Sequence, residues 1–163
     1  MDCSQKRPFI CERSASRLQT GNLQERLPAE LTNDLSQSLA ILAADLNSEL
    51  DVTELRLLNF RDDLIPILPT LSGADSTALG QVIGAVSVLK GAVVSLKGLS
   101  TVDCDNLTTA NNNVLPRIET LIQKGSALPA NLSEMQTVAT LQHFAKKLQK
   151  RHLQIQSSLL KIC

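Results

Sequence analysis

Residues 133–163 read SEMQTVATLQHFAKKLQKRHLQIQSSLLKIC, and this stretch decides the fold. Met135, Val138, Leu141, Ala145, Leu148, Ile155, Leu159 and Ile162 recur at helical spacing, with His152 filling the one gap in the series. Steps of three and four place these residues on one face of an α-helix. A helix over 133–162 would be about 45 Å long at 1.5 Å per residue, which suits a long helical bundle. Cys163 follows at once, and a thiol at the tip of such a helix reads as a staple to a distant segment.

Upstream of this seam, Leu115, Ile118, Leu121 and Ile122 indicate a minor helix that Gly125 and Pro129 end. The polar run 105–113 before it reads as a loop. Leu79, Val82, Ile83, Val86, Leu89, Val93 and Leu96 give a helix over about 77–99, capped by Asp75 or Ser76. Gly84, Gly91 and Gly98 recur every seven residues within it, a stripe expected to admit a close neighbouring helix. Gly80 and Gly84 also form the small-x-x-x-small pattern of membrane helix pairs. Lys90 and Lys97 interrupt that apolar run, so a buried core helix is the expected reading.

Leu35, Leu39, Leu42, Leu46 and Leu50 mark the first helix, with Thr32, Asn33 or Asp34 as its cap. The leucine-rich stretch 52–71 contains Pro66 and Pro69, so a short or kinked second helix is expected there. Residues 1–30, with Pro8, Gly21 and Pro28, read as an irregular arm. The expectation is therefore an all-α protein: an arm over 1–30 and a single-domain bundle of four main helices over 31–163, with an extra short helix before the last.

Lysine plus arginine equals aspartate plus glutamate, so no basic excess favours nucleic acid. Trp and Tyr are absent, and Phe9, Phe60 and Phe144 are the only aromatics, which leaves little for base stacking. Four cysteines form an even set, as expected of two bridges in an oxidising compartment. Three pairings are open; Cys3 with Cys11 and Cys104 with Cys163 is the favoured one. Residues 1–30 hold no apolar run of the signal-peptide kind, so secretion implies that a leader was removed. Asn106-Leu107-Thr108 and Asn131-Leu132-Ser133 fit the acceptor pattern for N-glycosylation, a pattern that chance also supplies.

Leu58-Asn59-Phe60, Pro66-Ile67-Leu68, Thr70-Leu71-Ser72 and the pair Asp75 and Thr77 resemble the leptin family of long-chain helical cytokines. Cys104 after the 77–99 helix and Cys163 as the final residue match that family's cysteine placement. The resemblance covers about residues 53–104 and 135–163. Asn59 stands where the family has Asp, Arg61 follows Phe60 where an apolar residue is common, and Cys3 and Cys11 are additional. The 1–30 arm is longer, and the stretch joining the second helix to the 77–99 helix shorter, than the family usually shows.

The residues leave two topologies open: a long connection between the first two helices gives an up-up-down-down bundle, whereas a hairpin starting near Val52 gives a simple up-down bundle. The resemblance implies the first, and with it a secreted, monomeric signalling ligand for a class I cytokine receptor ectodomain. It places a high-affinity receptor surface on Asp34, Gln37 and Asp45 of the first helix and on Gln81, Lys90 and Lys97 of the 77–99 helix. A second, activating surface would join the loop Leu58, Asn59, Phe60 and Arg61 to Leu132 and Ser133. The competing reading makes Leu58 and Phe60 core residues.

Granulocyte colony-stimulating factor and its relatives are the nearest alternative, and a lipid-binding helical bundle is an alternative of another class. Neither a cofactor nor a metal nor membrane insertion is expected. His143 and His152 stand nine residues apart, and no phosphate loop, G-x-S-x-G, H-E-x-x-H or C-x-x-C is present, so catalysis is not expected. On its apolar seam, His152 reads as a satisfied core or boundary histidine and not as a catalyst.

Overall fold

The computed structural model describes the backbone of residues 23–163 and the side chains of residues 34–163. Cys3, Cys11 and their expected pairing lie outside the described residues. The described chain is all helical. α1 spans Leu23–Leu64, a 3-10 segment covers Ile65–Thr70, and α2 spans Gly73–Lys97. α3 follows over Cys104–Ser126, then the single turn α4 over Ala130–Ser133, then α5 over Gln136–Ile162.

α1 corrects three expectations. It begins at Leu23, inside the expected arm, so Thr32, Asn33 and Asp34 are helix interior and not a cap. It also runs through the expected break between the first and second helices. The reason is a continuous seam: Leu39, Leu42, Leu46, Leu50, Thr53, Leu57, Phe60 and Leu64 are all buried at helical spacing. No glycine or proline falls between Asp34 and Ile65 to stop the helix. Pro66 and Pro69 lack the N–H groups that an α-helix would use, and the chain tightens into the 3-10 segment from Ile65.

α2 starts at Gly73, whose φ of 60° lies in the left-handed region that favours glycine. Its inner residues Leu79, Val82, Val86, Leu89, Val93 and Leu96 are buried as the periodicity requires. Helix α2 is long and apolar enough to cross a bilayer, and in the structure it packs into the bundle against α1 and α3. The glycine stripe does not serve a close approach within the bundle. A Cβ at Gly80, Gly84 or Gly91 would meet nothing within 4 Å.

α3 replaces both the expected loop at 105–113 and the expected minor helix. Asp103 is its N-cap, accepting the Asn106 N–H at 2.7 Å. Leu107, Asn111, Val114, Ile118 and Leu121 then form a buried stripe, and Pro116 is accommodated inside the helix. α5 buries Val138, Leu141, Ala145, Leu148, His152, Ile155 and Leu159, the seam read from the sequence, together with Phe144.

Cross-links between helices fix their directions. Cys104 bridges Cys163 with Cα atoms 6.0 Å apart, Gln156 donates to Asn112, and Gln142 donates to the Ile122 carbonyl. α3 and α5 are therefore antiparallel. Glu49 pairs with Arg151 and Phe60 with Phe144, so α1 and α5 are antiparallel too. Asn131 in α4 donates to Asp75 near the start of α2, which puts the end of α3 beside the beginning of α2.

The eight residues between Leu64 and Gly73 reach at most about 27 Å, too short to carry the chain back along α1. The four long helices thus alternate in direction. α2 and α5 run parallel with their C-terminal ends at one pole, as the Cys104–Cys163 pairing requires. Among the described residues, the separate second helix and long crossing connection of an up-up-down-down chain are absent, because α1 absorbs the first two expected helices and α3 supplies the fourth long one.

Candidate functional site

Where α1 faces α5, the described structure opens into a groove of about 460 Å³. α1 contributes the span 46–56 and α5 the span 144–152, so the groove is about 15 Å long by helix rise. Leu46, Leu50 and Leu148 give it an apolar floor continuous with the core. Phe144 closes its upper end, with its ring 5.5 Å from that of Phe60. The Arg56 guanidinium lies 4.5 Å from the Phe144 centroid and 5.6 Å from that of Phe60, a cation–π arrangement that holds the charge at the rim. Arg151 donates from Nε to Glu49 at 2.7 Å and fastens α5 to α1 along the wall. Lys147 and Val52 are exposed at the same rim, Val52 at 59%.

His152 lies at the lower end of the groove and is only 1% exposed. Asn111 donates its amide to the His152 carbonyl at 3.1 Å. Its amide oxygen is then left to accept from Nδ1 of the ring, 2.8 Å away. Burial pushes the imidazole down to about 4, and the neighbouring Arg151 charge adds to that effect. The ring is neutral at physiological pH and is a satisfied core histidine, as the apolar seam suggested. Among the described residues, no three His, Cys, Asp or Glu side chains gather in a metal-binding group.

The residues singled out from the sequence fare unevenly. Gln37, Asp45 and Gln81 are exposed, but Asp34 is buried and presents no surface. Lys90 is half-buried. Lys97 is bound between Glu54 at 2.8 Å and Asp51 at 3.0 Å. Its hydrogen bond to Glu54, then that to Asp51, raises its pKa above the ordinary lysine value. Lys97 thus ties α2 to α1 and is already engaged.

Leu58, Asn59, Phe60 and Arg61 form no loop. They lie inside α1, with Phe60 buried against Phe144, Leu58 half-buried and Asn59 exposed. Arg61 is half-buried, its Nε 3.7 Å from Asp62 and beyond hydrogen-bond distance. Leu132 is buried in α4, and Ser133 beside it is half-buried. Phe60 and Leu132 are core residues, and the competing reading of Phe60 holds.

The cation-rimmed groove was not among the expected sites. Arg56, Lys147 and Arg151 carry no motif, and only the pairing of α1 with α5 brings them together. Comparison with protein-family models, curated proteins and solved structures finds no match to this chain.

Proposed function

We propose that this chain is a secreted, non-enzymatic helical ligand of the leptin-like cytokine class, which engages a class I cytokine receptor ectodomain as a monomer. The observation that carries the reading is the Cys104–Cys163 bridge. It joins the two cysteines on which the family resemblance rests, and such bridges persist in oxidising compartments. The reading rests on that bridge and on rigid helix faces, not on helix order, since the continuous α1 departs from the class.

A bundle of this kind binds through a few anchors on exposed helix faces. Gln37, Asp45 and Gln81 supply the first receptor surface in this reading, with Lys90 at its edge. Asn59, Arg61 and Ser133 supply the second. The test is a binding screen of the folded, bridged chain against class I receptor ectodomains, which also covers the alternative related to granulocyte colony-stimulating factor. Saturable binding to one ectodomain, weakened at least tenfold by Gln37→Arg with Asp45→Arg, is the expected result. Absence of binding by a monodisperse, helical sample at micromolar concentrations would remove the proposal.

A further inference from the structure

Helix α1 and helix α5 leave an open seam in an otherwise apolar bundle, and its rim carries a net positive charge. Glu49 is the carboxylate on its wall, and Arg151 neutralises it at 2.7 Å. Arg56 and Lys147 remain, and among the described residues neither forms an ion pair. Both cations border a floor of Leu46, Leu50 and Leu148. The groove thus combines apolar depth with an anion-seeking edge at its Arg56 end.

We propose that this groove binds a single-chain carboxylate amphiphile, with the hydrocarbon chain laid along the floor between α1 and α5 and the carboxylate held by Arg56 and Lys147. Three observations select this occupant. The volume of about 460 Å³ lies within the usual range for small-molecule sites, about 300–1,000 Å³. The length of about 15 Å matches an extended alkyl chain. The charge pattern is that of an amphiphile's partner, positive at one end and uncharged along the floor to His152. Burial keeps that ring neutral at physiological pH, so the lower end carries no second charge from it.

The chain's own first residues are poorly suited to the place. Residues 1–22 carry Lys6, Arg7, Arg13 and Arg17 against Asp2 and Glu12, the same sign as the rim. The inference is independent of the receptor reading, because it uses no residue of either receptor surface.

The experiment is calorimetric titration of the bridged, full-length chain with dodecanoate below its micelle concentration, with dodecanoate methyl ester as the uncharged control. One saturable site per chain is expected, with the ester at least tenfold weaker. Arg56→Gln combined with Lys147→Gln should weaken dodecanoate at least tenfold. Val52→Glu, a change at an exposed rim position, should do the same while leaving the helical circular dichroism intact. Equal affinity for the ester, or affinity unchanged in both variants, overturns the proposal. So does a dimer in sedimentation that Val52→Glu dissociates, which would assign the groove to a second copy. Displacement of dodecanoate by an acidic amphipathic helical peptide that binds more tightly would assign it to a protein partner instead.

Discussion

Lowering the pH should weaken this bundle through one residue, His152. Its ring is 1% exposed and donates to Asn111, and its pKa falls from the ordinary 6.5 to about 4 on folding. The unfolded chain takes up a proton as pH drops below 6.5, whereas the folded chain does so only near 4. The stabilisation is therefore complete above pH 6.5 and is lost as pH falls through the window from 6.5 to 4. Its full size is about 3 kcal/mol at 1.36 kcal/mol per pKa unit, of which roughly 2 kcal/mol is gone by pH 4.5. Urea unfolding at pH 7 and pH 4.5 measures the loss.

Carboxylates also titrate in that range, so the His152→Leu variant serves as the reference. The parent should lose roughly 2 kcal/mol more than the variant between the two pH values. The variant itself starts less stable, because Asn111 is left with an unmet acceptor, but the slope and not the intercept is the readout. Parallel pH profiles for parent and variant, or an NMR titration placing His152 near 6.5, would refute the reasoning.

Three further outcomes follow from the packing. Cys163→Ser should cost about 4 kcal/mol by the chain-entropy estimate for a closed loop with a sequence separation of 59, read as a lower melting temperature without reductant. Gly84→Ala and Gly91→Ala should each raise stability by about 1 kcal/mol, since both positions are exposed and an added Cβ meets nothing; a thermal melt that shows no gain refutes this. Phe60→Ala should cost about 3–5 kcal/mol in urea unfolding, whereas the adjacent Asn59→Ala should stay within about 0.5 kcal/mol.

Legibility in the sequence tracks how completely one physical signal governs each segment. α2 and α5 are readable because a long apolar stripe has no rival signal, and burial follows that stripe nearly residue for residue. α3 is hidden by its own chemistry. The run Asn111, Asn112 and Asn113 reads as a loop, yet Asn111 faces inward and is satisfied by His152, a partner 41 residues away. Propensity speaks for the local chain, and tertiary pairing overrode it.

The continuity of α1 was available in the spacing of Leu46, Leu50, Thr53, Leu57 and Phe60, but Pro66 and Pro69 drew the break too early. They end the helix only at Leu64. Lys97 read as a surface contact because a lone lysine on a helix gives no sign of the two carboxylates waiting on α1. The groove was illegible for a simpler reason. It belongs to the gap between two helices far apart in sequence, and no single stretch encodes it.

The bridge also makes the bundle's local opening uneven. It ties α3 to α5 covalently at one pole, and no bond of this kind holds α1 or α2. Once it is reduced, that pole of the α3–α5 pair is held by Asn111 with His152, Gln156 with Asn112, and the buried Leu107 and Leu159. Amide hydrogen exchange should then accelerate first in residues 104–112 and 152–163, as one cooperative unit of lower stability. The opposite pole keeps its own fastening, in which Gln142 donates to the Ile122 carbonyl and to Ser126. A reducing environment would thus unzip a pair of helices from one end while the α1–α2 pair stays protected.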